Sequence, residues 1–296
     1  MMSKIVWLCL WIIPGWALGV ESILDARGRR VPLNPKPQRV VSLALSSDVM
    51  LFDMMPSSER HRIAALSFFV DDATYSLIAD DAARIKGRVG QDMEGLIALK
   101  PDLVICATYS SAAKIKALEN AGIKTFVMGG FGSIEGIFTN LKYLSQLVHL
   151  PDAGAKISQA SVRRLKAIES KTATFTKKAT ILNFSADGTL WGKNTSFNSA
   201  AEAAGLVNLA RDHGVVGWKK VSLETIAALN PNFVVAVGLE SNRSSVVSRI
   251  QGSLGWKHIK AVRDGKILLV PGPLMSSASH RIVDLVELMH EHAYGE

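Results

Sequence analysis

Two glutamates hold matching places in this 296-residue chain, each at the head of the same kind of stretch. Glu94 opens E-G-L-I-A-L-K-P-D-L-V-I and Glu224 opens E-T-I-A-A-L-N-P-N-F-V-V. A carboxylate in the first turn of a helix is favoured by the helix dipole and faces outward. Other chemistry-bearing side chains gather where strands give way to loops. Phe68 and Phe69 directly follow an apolar run, a position where paired aromatics fill a core or line a cleft, and Tyr109 lies in the loop T-Y-S-S after another run. His213 and Trp218 share a glycine-containing loop in the second half. No G-x-S-x-G elbow, phosphate-binding G-x-x-x-x-G-K, H-E-x-x-H or G-x-G-x-x-G follows any of these strands. Gly129-Gly130-Phe131-Gly132 comes nearest to a phosphate loop, and its spacing is wrong.

The elements that must position these groups are legible in the repeat itself. In each copy apolar residues at helical spacing follow the glutamate, a proline stops the helix, and a β-branched run begins as a buried parallel strand would. Two such units imply two lobes built alike, an α/β protein with a central parallel sheet in each lobe. The first lobe is expected to carry strands over 40–45, 63–66, 103–107 and 124–128. Ser46, Ser47 and Asp48 read as N-cap residues for a helix over 49–55. Helical spacing continues over 133–150, and a further helix from Pro151 to about residue 171 is roughly 30 Å long, enough to join the lobes. The second lobe is expected to begin with a strand over 179–184, a turn at Asp187-Gly188 and a hairpin partner over 189–191. It ends with a strand over 266–270 and a helix over 279–292. The boundaries that follow are 1–19 for an export signal, 20–132 for the first lobe, 133–172 for the helices between, and 173–296 for the second lobe.

Composition supports a folded, exported protein. Apolar residues make up 48% of the chain, enough for a substantial core. Lys4, an apolar run over 5–13 and the small residues Ala17-Leu18-Gly19 read as a signal peptide cleaved after Gly19, so that the mature protein is expected to be exported. Pro14 and Gly15 interrupt the run before it reaches the length of a membrane span. Cys9 falls inside this segment, and lipid attachment there is the weaker reading because too short an apolar run precedes it. Cys106 is then the one cysteine left; it reads as a buried thiol, and no intrachain disulfide is expected. Net charge is +8, but the basic residues come singly or in pairs, so no nucleic-acid partner is expected.

The order of these pieces resembles the periplasmic binding proteins that carry ferric siderophores, haem and cobalamin to ATP-driven importers. The resemblance rests on V-V-S-L near the mature start, the glutamate-led A-L-K-P-D-L-V-I, the long inter-lobe helix, V-S-L-E-T-I-A-A-L-N-P-N, and A-V-R-D-G-K-I-L-L-V-P before a terminal S-H-R-I helix. It covers the chain from about Arg39 onward. It implies the class III fold, two Rossmann-like lobes joined by a rigid helix, with ligand held shallowly between them. It also implies that Glu94 and Glu224 dock into arginine pockets of a membrane permease, as exposed anchors that guide association more than they add affinity.

For the ligand, the resemblance to the ferric-hydroxamate binder matches Arg88 and, within one residue, Tyr109 and Trp218. Arginine can pair with the anionic oxygens of a chelate, tyrosine can donate a hydrogen bond or bind iron, and tryptophan packs a bulky ligand. The cobalamin binder matches Trp191 and Trp218. Phe69, Met275 and Arg281 are further cleft candidates, although Arg281 could equally cap or anchor the final helix. Tyr109, His213 and His280 could each serve as an axial haem ligand. The family pattern departs at Ala44-Leu45-Ser46-Ser47-Asp48, where many members carry a proline and then a glutamate. The expected function is non-enzymatic capture of a hydroxamate-like ferric siderophore by a monomer with no metal site or cofactor of its own, and its delivery to the permease. Cobalamin or haem binding is the alternative, and an exported α/β enzyme or a sensor domain is the reading from another class.

Overall fold

The computed structural model of the protein describes residues 22–90 and 92–295. The signal segment 1–19, with Cys9 and the cleavage position at Gly19, lies outside the described residues. A hairpin of β1 (Ser22–Leu24) and β2 (Arg30–Pro32) precedes the first lobe. That lobe contains β3 (Val40–Ser42), α1 (Leu45–Met54), β4 (Ile63–Ser67), α2 (Ala79–Ala82) and β5 (Arg88–Val89). It continues through α3 (Met93–Ala98), β6 (Leu103–Ala107), α4 (Ala112–Asn120) and β7 (Thr125–Met128). Its five strands form a parallel sheet in the order β5-β4-β3-β6-β7. Two helices follow, α5 (Ile134–Leu147) and α6 (Pro151–Thr172). Proline at the first turn of α6 lacks only an N–H that would have no intrahelical partner.

The second lobe runs through β8 (Thr180–Asn183), β9 (Thr189–Trp191), α7 (Ser196–Ala203), β10 (Val207–Asn208), α8 (Leu209–Asp212) and β11 (Trp218–Lys220). It closes with α9 (Leu223–Ala228), β12 (Phe233–Val237), α10 (Arg243–Gly252), α11 (Lys260–Arg263), β13 (Ile267–Val270), α12 (Gly272–Met275) and α13 (Ile282–Tyr294). Its parallel sheet has the order β10-β8-β12-β13.

The repeated stretch builds the same unit twice. Asp92 caps α3 by accepting from the N–H groups of Glu94 and Gly95, and Ser222 caps α9 by accepting from that of Thr225. Past each proline the next residue ties the unit to its neighbour strand. The Asp102 carboxylate accepts from the N–H groups of Gln38 and Arg39 at 2.6 and 2.9 Å, just before β3. Asn232 Oδ1 accepts from Thr180 N–H at 2.7 Å, at the start of β8. An acceptor oxygen is what the position needs, so Asp and Asn serve alike.

Two expectations are corrected. The first strand ends at Ser42, and α1 starts at Leu45 after an Ala44 N-cap with no side-chain bond. Ser46, Ser47 and Asp48 therefore lie inside the helix, all three buried. A short apolar run such as Leu43-Ala44-Leu45 fits a buried strand or a buried helix equally, and periodicity does not separate them. The second correction concerns β9, which pairs not with β8 but antiparallel with β11, Trp191 opposite Trp218. The Asn183 side chain takes the place of the hairpin ladder: its Nδ2 donates to Thr189 O at 3.1 Å and its Oδ1 accepts from Trp191 N–H at 2.8 Å.

One apolar cluster spans both lobes. It joins Val40 and Ile105 of the first sheet to Ile181, Val235 and Val270 of the second through α5, α6 and α13. The opposite face of each sheet has its own smaller cluster. Cys106 belongs to the one in the first lobe, where burial pushes its thiol up to about 12, as an inert core group requires. Polar ties reinforce the junction. Arg281, just before α13, grips Asp53 of α1 with two bonds of 2.7 Å, and His280 Nε2 lies 3.1 Å from the same carboxylate. Arg164 of α6 holds Asp284 at 2.6 Å and also Glu287, both on α13. The lobes also meet through two glycines. A Cβ at Gly132 would overlap the carbonyl of Asn194, and one at Gly272 would stand 2.7 Å from that of Thr74. Among the described residues no helix is long and apolar enough to cross a membrane.

Two stability predictions follow from these buried charges. Burial raises the Asp53 carboxyl, but hydrogen bonds and charge from His280 and Arg281 outweigh it and hold the group at about 2. Replacing Arg281 with Ala removes both guanidinium bonds to that carboxylate and leaves it with His280 alone, and urea unfolding near neutral pH should show a loss of about 2 kcal/mol, less than for a fully buried pair because both groups touch solvent. Asp48 behaves oppositely, since burial raises it from 3.8 to about 7, against opposing hydrogen bonds from Ser42 and Ser67. A carboxyl that binds its proton more tightly when folded stabilises the fold fully below its unfolded pKa and loses that contribution as pH rises through about 7. Asp48→Asn should remove that slope, matching wild type near pH 4 and exceeding it above pH 8 by up to about 4 kcal/mol. Parallel pH profiles of urea stability in the two proteins would contradict the assignment.

Candidate ligand-binding cleft

Open α/β sheets bind ligands outside the carboxyl ends of their strands. The first lobe presents such an edge: Leu43 to Leu45 after β3, Ser67 to Phe69 after β4, Gly90 after β5 and Tyr109 to Ser111 after β6 enclose a cleft of about 360 Å³. Ser276, from the second lobe, closes one side. A smaller space of about 200 Å³ lies behind Tyr75 and Tyr109, against Ser276 to Ser279.

The lining is aromatic with a hydroxyl edge. Phe68 and Phe69 stand 47% and 45% exposed, their ring centroids 4.0 Å apart. Tyr75 and Tyr109 are exposed beside them. Four accessible aromatics in one concavity are what a monomeric surface avoids unless something covers them. Tyr109 rests its ring on Phe131, centroids 5.4 Å apart, and turns its hydroxyl to Ser46 Oγ at 3.2 Å in a part-buried contact. The ring is exposed but the hydroxyl end is not, and its desolvation raises the phenol above its usual range, more than the Ser46 bond lowers it; as any tyrosine does at neutral pH, Tyr109 presents an O–H able to donate. Ser110, Ser111 and Lys114 follow along the same edge, and Lys114 donates to Gly90 O at 3.0 Å. The arrangement can grip an organic body by stacking and orient it by a few donors.

The expected site residues divide. Tyr109 and Phe69 line the cleft. Arg88 does not: its guanidinium holds Asp71 through Nε and Nη2 at 2.6 Å each and donates to the carbonyls of Ala82, Ile85 and Gly87, which leaves no free edge for a chelate. Met275 is 2% exposed and belongs to the core, because α12 turns it inward and presents Ser276 instead. Arg281 is the anchor of the final helix, not a cleft residue. Trp191 and Trp218 lie opposite each other on the β9–β11 ribbon, outside this lining. Trp191 is half-buried, edge-on to Phe197, and Trp218 is 65% exposed. His213 bonds its own helix at Leu209 O, 2.8 Å, and His280 is buried against Asp53, so neither lines the cleft with Tyr109. Glu94 and Glu224 are both exposed, in the first turns of α3 and α9. Sequence reasoning missed Tyr75 and Lys114; Lys114 lay within reach of the strand-end rule, whereas Tyr75 sits in a polar loop without a pattern. Among the described residues no group of three or more His, Cys, Asp or Glu is arranged to hold a metal ion.

Comparison with known proteins agrees with this architecture. An uncharacterized ABC transporter substrate-binding lipoprotein of Bacillus subtilis is 24% identical over 281 residues, covering 92% of this chain and 85% of the relative. A cobalamin-binding protein of Halobacterium salinarum is 25% identical over 268 residues, covering 88% and 70%. Among solved structures, a periplasmic heme binding protein from Pseudomonas aeruginosa superposes with a TM-score of 0.71 at 22% identity, covering 88% of this chain and 94% of that one. An Fe3+-hydroxamate transport protein from Saccharomonospora viridis gives 0.72 at 18%, covering 92% and 98%. These likenesses establish the fold, that of the class III periplasmic binding proteins. The profile of the family described as "Periplasmic binding protein" matches residues 63–274, most of both lobes, and the chain belongs to that family.

Proposed function

We propose that this protein is the extracytoplasmic solute-binding component of an ABC importer, and that its cargo is a bulky metal chelate of little net charge, a corrinoid first. The observation that carries the cargo assignment is the cleft lining: four exposed aromatics and a row of hydroxyls, with the nearby arginine spent on Asp71. A strongly anionic chelate calls for free guanidinium groups, whereas an amide-rich corrinoid calls for stacking surface and a few donors. The cobalamin-binding relative from Halobacterium salinarum and a vitamin B12-binding relative from Vibrio campbellii, 27% identical over 206 residues, support the same class. A neutral ferric hydroxamate is the second reading, favoured by the hydroxyl edge of Tyr109, Ser110 and Ser111, whose donors suit hydroxamate oxygens. Membership in a family of binding proteins weighs against an enzyme.

Delivery requires a membrane partner. Glu94 and Glu224 supply one exposed carboxylate on each lobe, on corresponding elements, which suits docking to two cationic pockets of a permease. At the first helix Asp92 is the cap and Glu94 takes no part in it; at the second, Glu224 also bonds its own N–H and the Ser222 hydroxyl, which lowers its carboxyl while leaving it exposed.

Titration of intrinsic tryptophan fluorescence with cyanocobalamin, ferrioxamine B and haem should give saturable quenching by cyanocobalamin, and Phe69→Ala should weaken that binding about ten-fold, the worth of roughly half a buried aromatic ring. Saturation by ferrioxamine B alone would select the second reading, and flat titrations with all three probes would end the chelate assignment. In an uptake assay with the cognate permease, Glu94→Lys combined with Glu224→Lys should cut transport at least about ten-fold while the dissociation constant changes less than about two-fold. A change in affinity instead would mean that these carboxylates serve the cleft.

A further inference from the structure

The paired rings of Phe68 and Phe69 sit on a single 3-10 turn, Phe68–Asp71, and depend on that turn for their aim. Val70 fixes its middle by burial in the shared core. Its ends are held by two polar clips. At the far end Asp71 is held by Arg88. At the near end Ser67 gives both its donors to one carboxylate: its N–H reaches Asp48 Oδ1 at 3.2 Å and its hydroxyl reaches Oδ2. Asp48 lies in α1 beneath the cleft floor and is wholly buried. The groups that act on it come from every neighbouring strand. Ser67 of β4 donates to it, Ser42 of β3 and the charge of Arg88 of β5 favour its ionised form, and Asp48 in turn raises the Tyr109 phenol beyond β6. Burial disfavours its charge more strongly than these partners restore it.

We propose that Asp48 is a positioning residue for cargo capture: ionised, it clamps Ser67 and sets the Phe68–Phe69 wall, and on taking up a proton it loosens that end of the turn and weakens the grip on cargo. Protonation replaces two charge-assisted bonds with neutral ones, which are about half as strong. It also reverses the Ser67 hydroxyl bond, because the protonated oxygen becomes the donor. Asp48 touches no cargo, so its effect reaches the ligand only through the wall. The inference rests on the reading of this cleft as the cargo site, and it makes capture pH-dependent in a compartment whose pH follows the surroundings.

The test has two arms. In the ligand-free protein, the backbone ¹⁵N–¹H resonances of Ser67, Phe68 and Phe69 should titrate together with a midpoint near pH 7 and stay fixed in Asp48→Asn. Resonances that are still across that range, or that move equally in the variant, overturn the proposal. In the binding arm, calorimetry with cyanocobalamin and with ferrioxamine B should show affinity falling at least about five-fold between about pH 8 and about pH 5.5, and no such fall in Asp48→Asn or Ser67→Ala. Titrating resonances with unchanged affinity would refute the link to cargo. Failure of both probes to bind at any pH would count against the cargo assignment, while the resonances would still decide what Asp48 does to the wall.

Discussion

The structure depends on one apolar core that does not stop at the boundary between the lobes. Each parallel sheet must cover two faces, because its strands are hydrophobic on both. The chain covers the outer faces with local helices and fuses the inner ones through α5, α6 and α13. Buried side chains from both sheets therefore belong to one packing problem, and close packing resists displacement of one part against another. The ion pairs of Arg281 and Arg164 add direction to this junction more than they add strength.

Such a junction fixes where binding chemistry can go. The carboxyl ends of β3, β4, β5 and β6 face the second lobe across a shallow gap, and loops there are free to carry aromatic side chains that the core does not need. The polar groups behind those loops serve as fasteners. Arg88 is the clearest case: a residue whose chemistry suits an anionic ligand is turned to hold the very turn that carries the aromatic wall.

Much of this was legible in the sequence, and the failures have common causes. The repeat around Glu94 and Glu224 disclosed both sheets because its grammar is local: a cap, an apolar period, a proline stop and a β-branched run. The strand at 103–107 matches the observed β6 for the same reason. Where tertiary partners decide, local grammar is silent. The Asn183 amide redirects β9 to β11, Met275 and Ser276 exchange inside and outside by the pitch of a single turn, and Asp48 looks like a helix cap until the helix is seen to begin three residues earlier. The aromatics of the cleft were partly found, because strand ends can be located. Which of the neighbouring charges would be consumed internally could not be read before the fold placed Asp71 beside Arg88.

Gly132 and Gly272 touch the opposite lobe at two separated places, one following β7 at one edge of the first sheet, the other facing Thr74 in the segment between β4 and β5 at the other edge. In both places backbone meets backbone with no side chain between. The closeness of the two backbones there thus depends on the absence of two methyl groups. A side chain at either position would act as a shim driven between two backbones that the common core holds together, so it would meet resistance from both lobes at once.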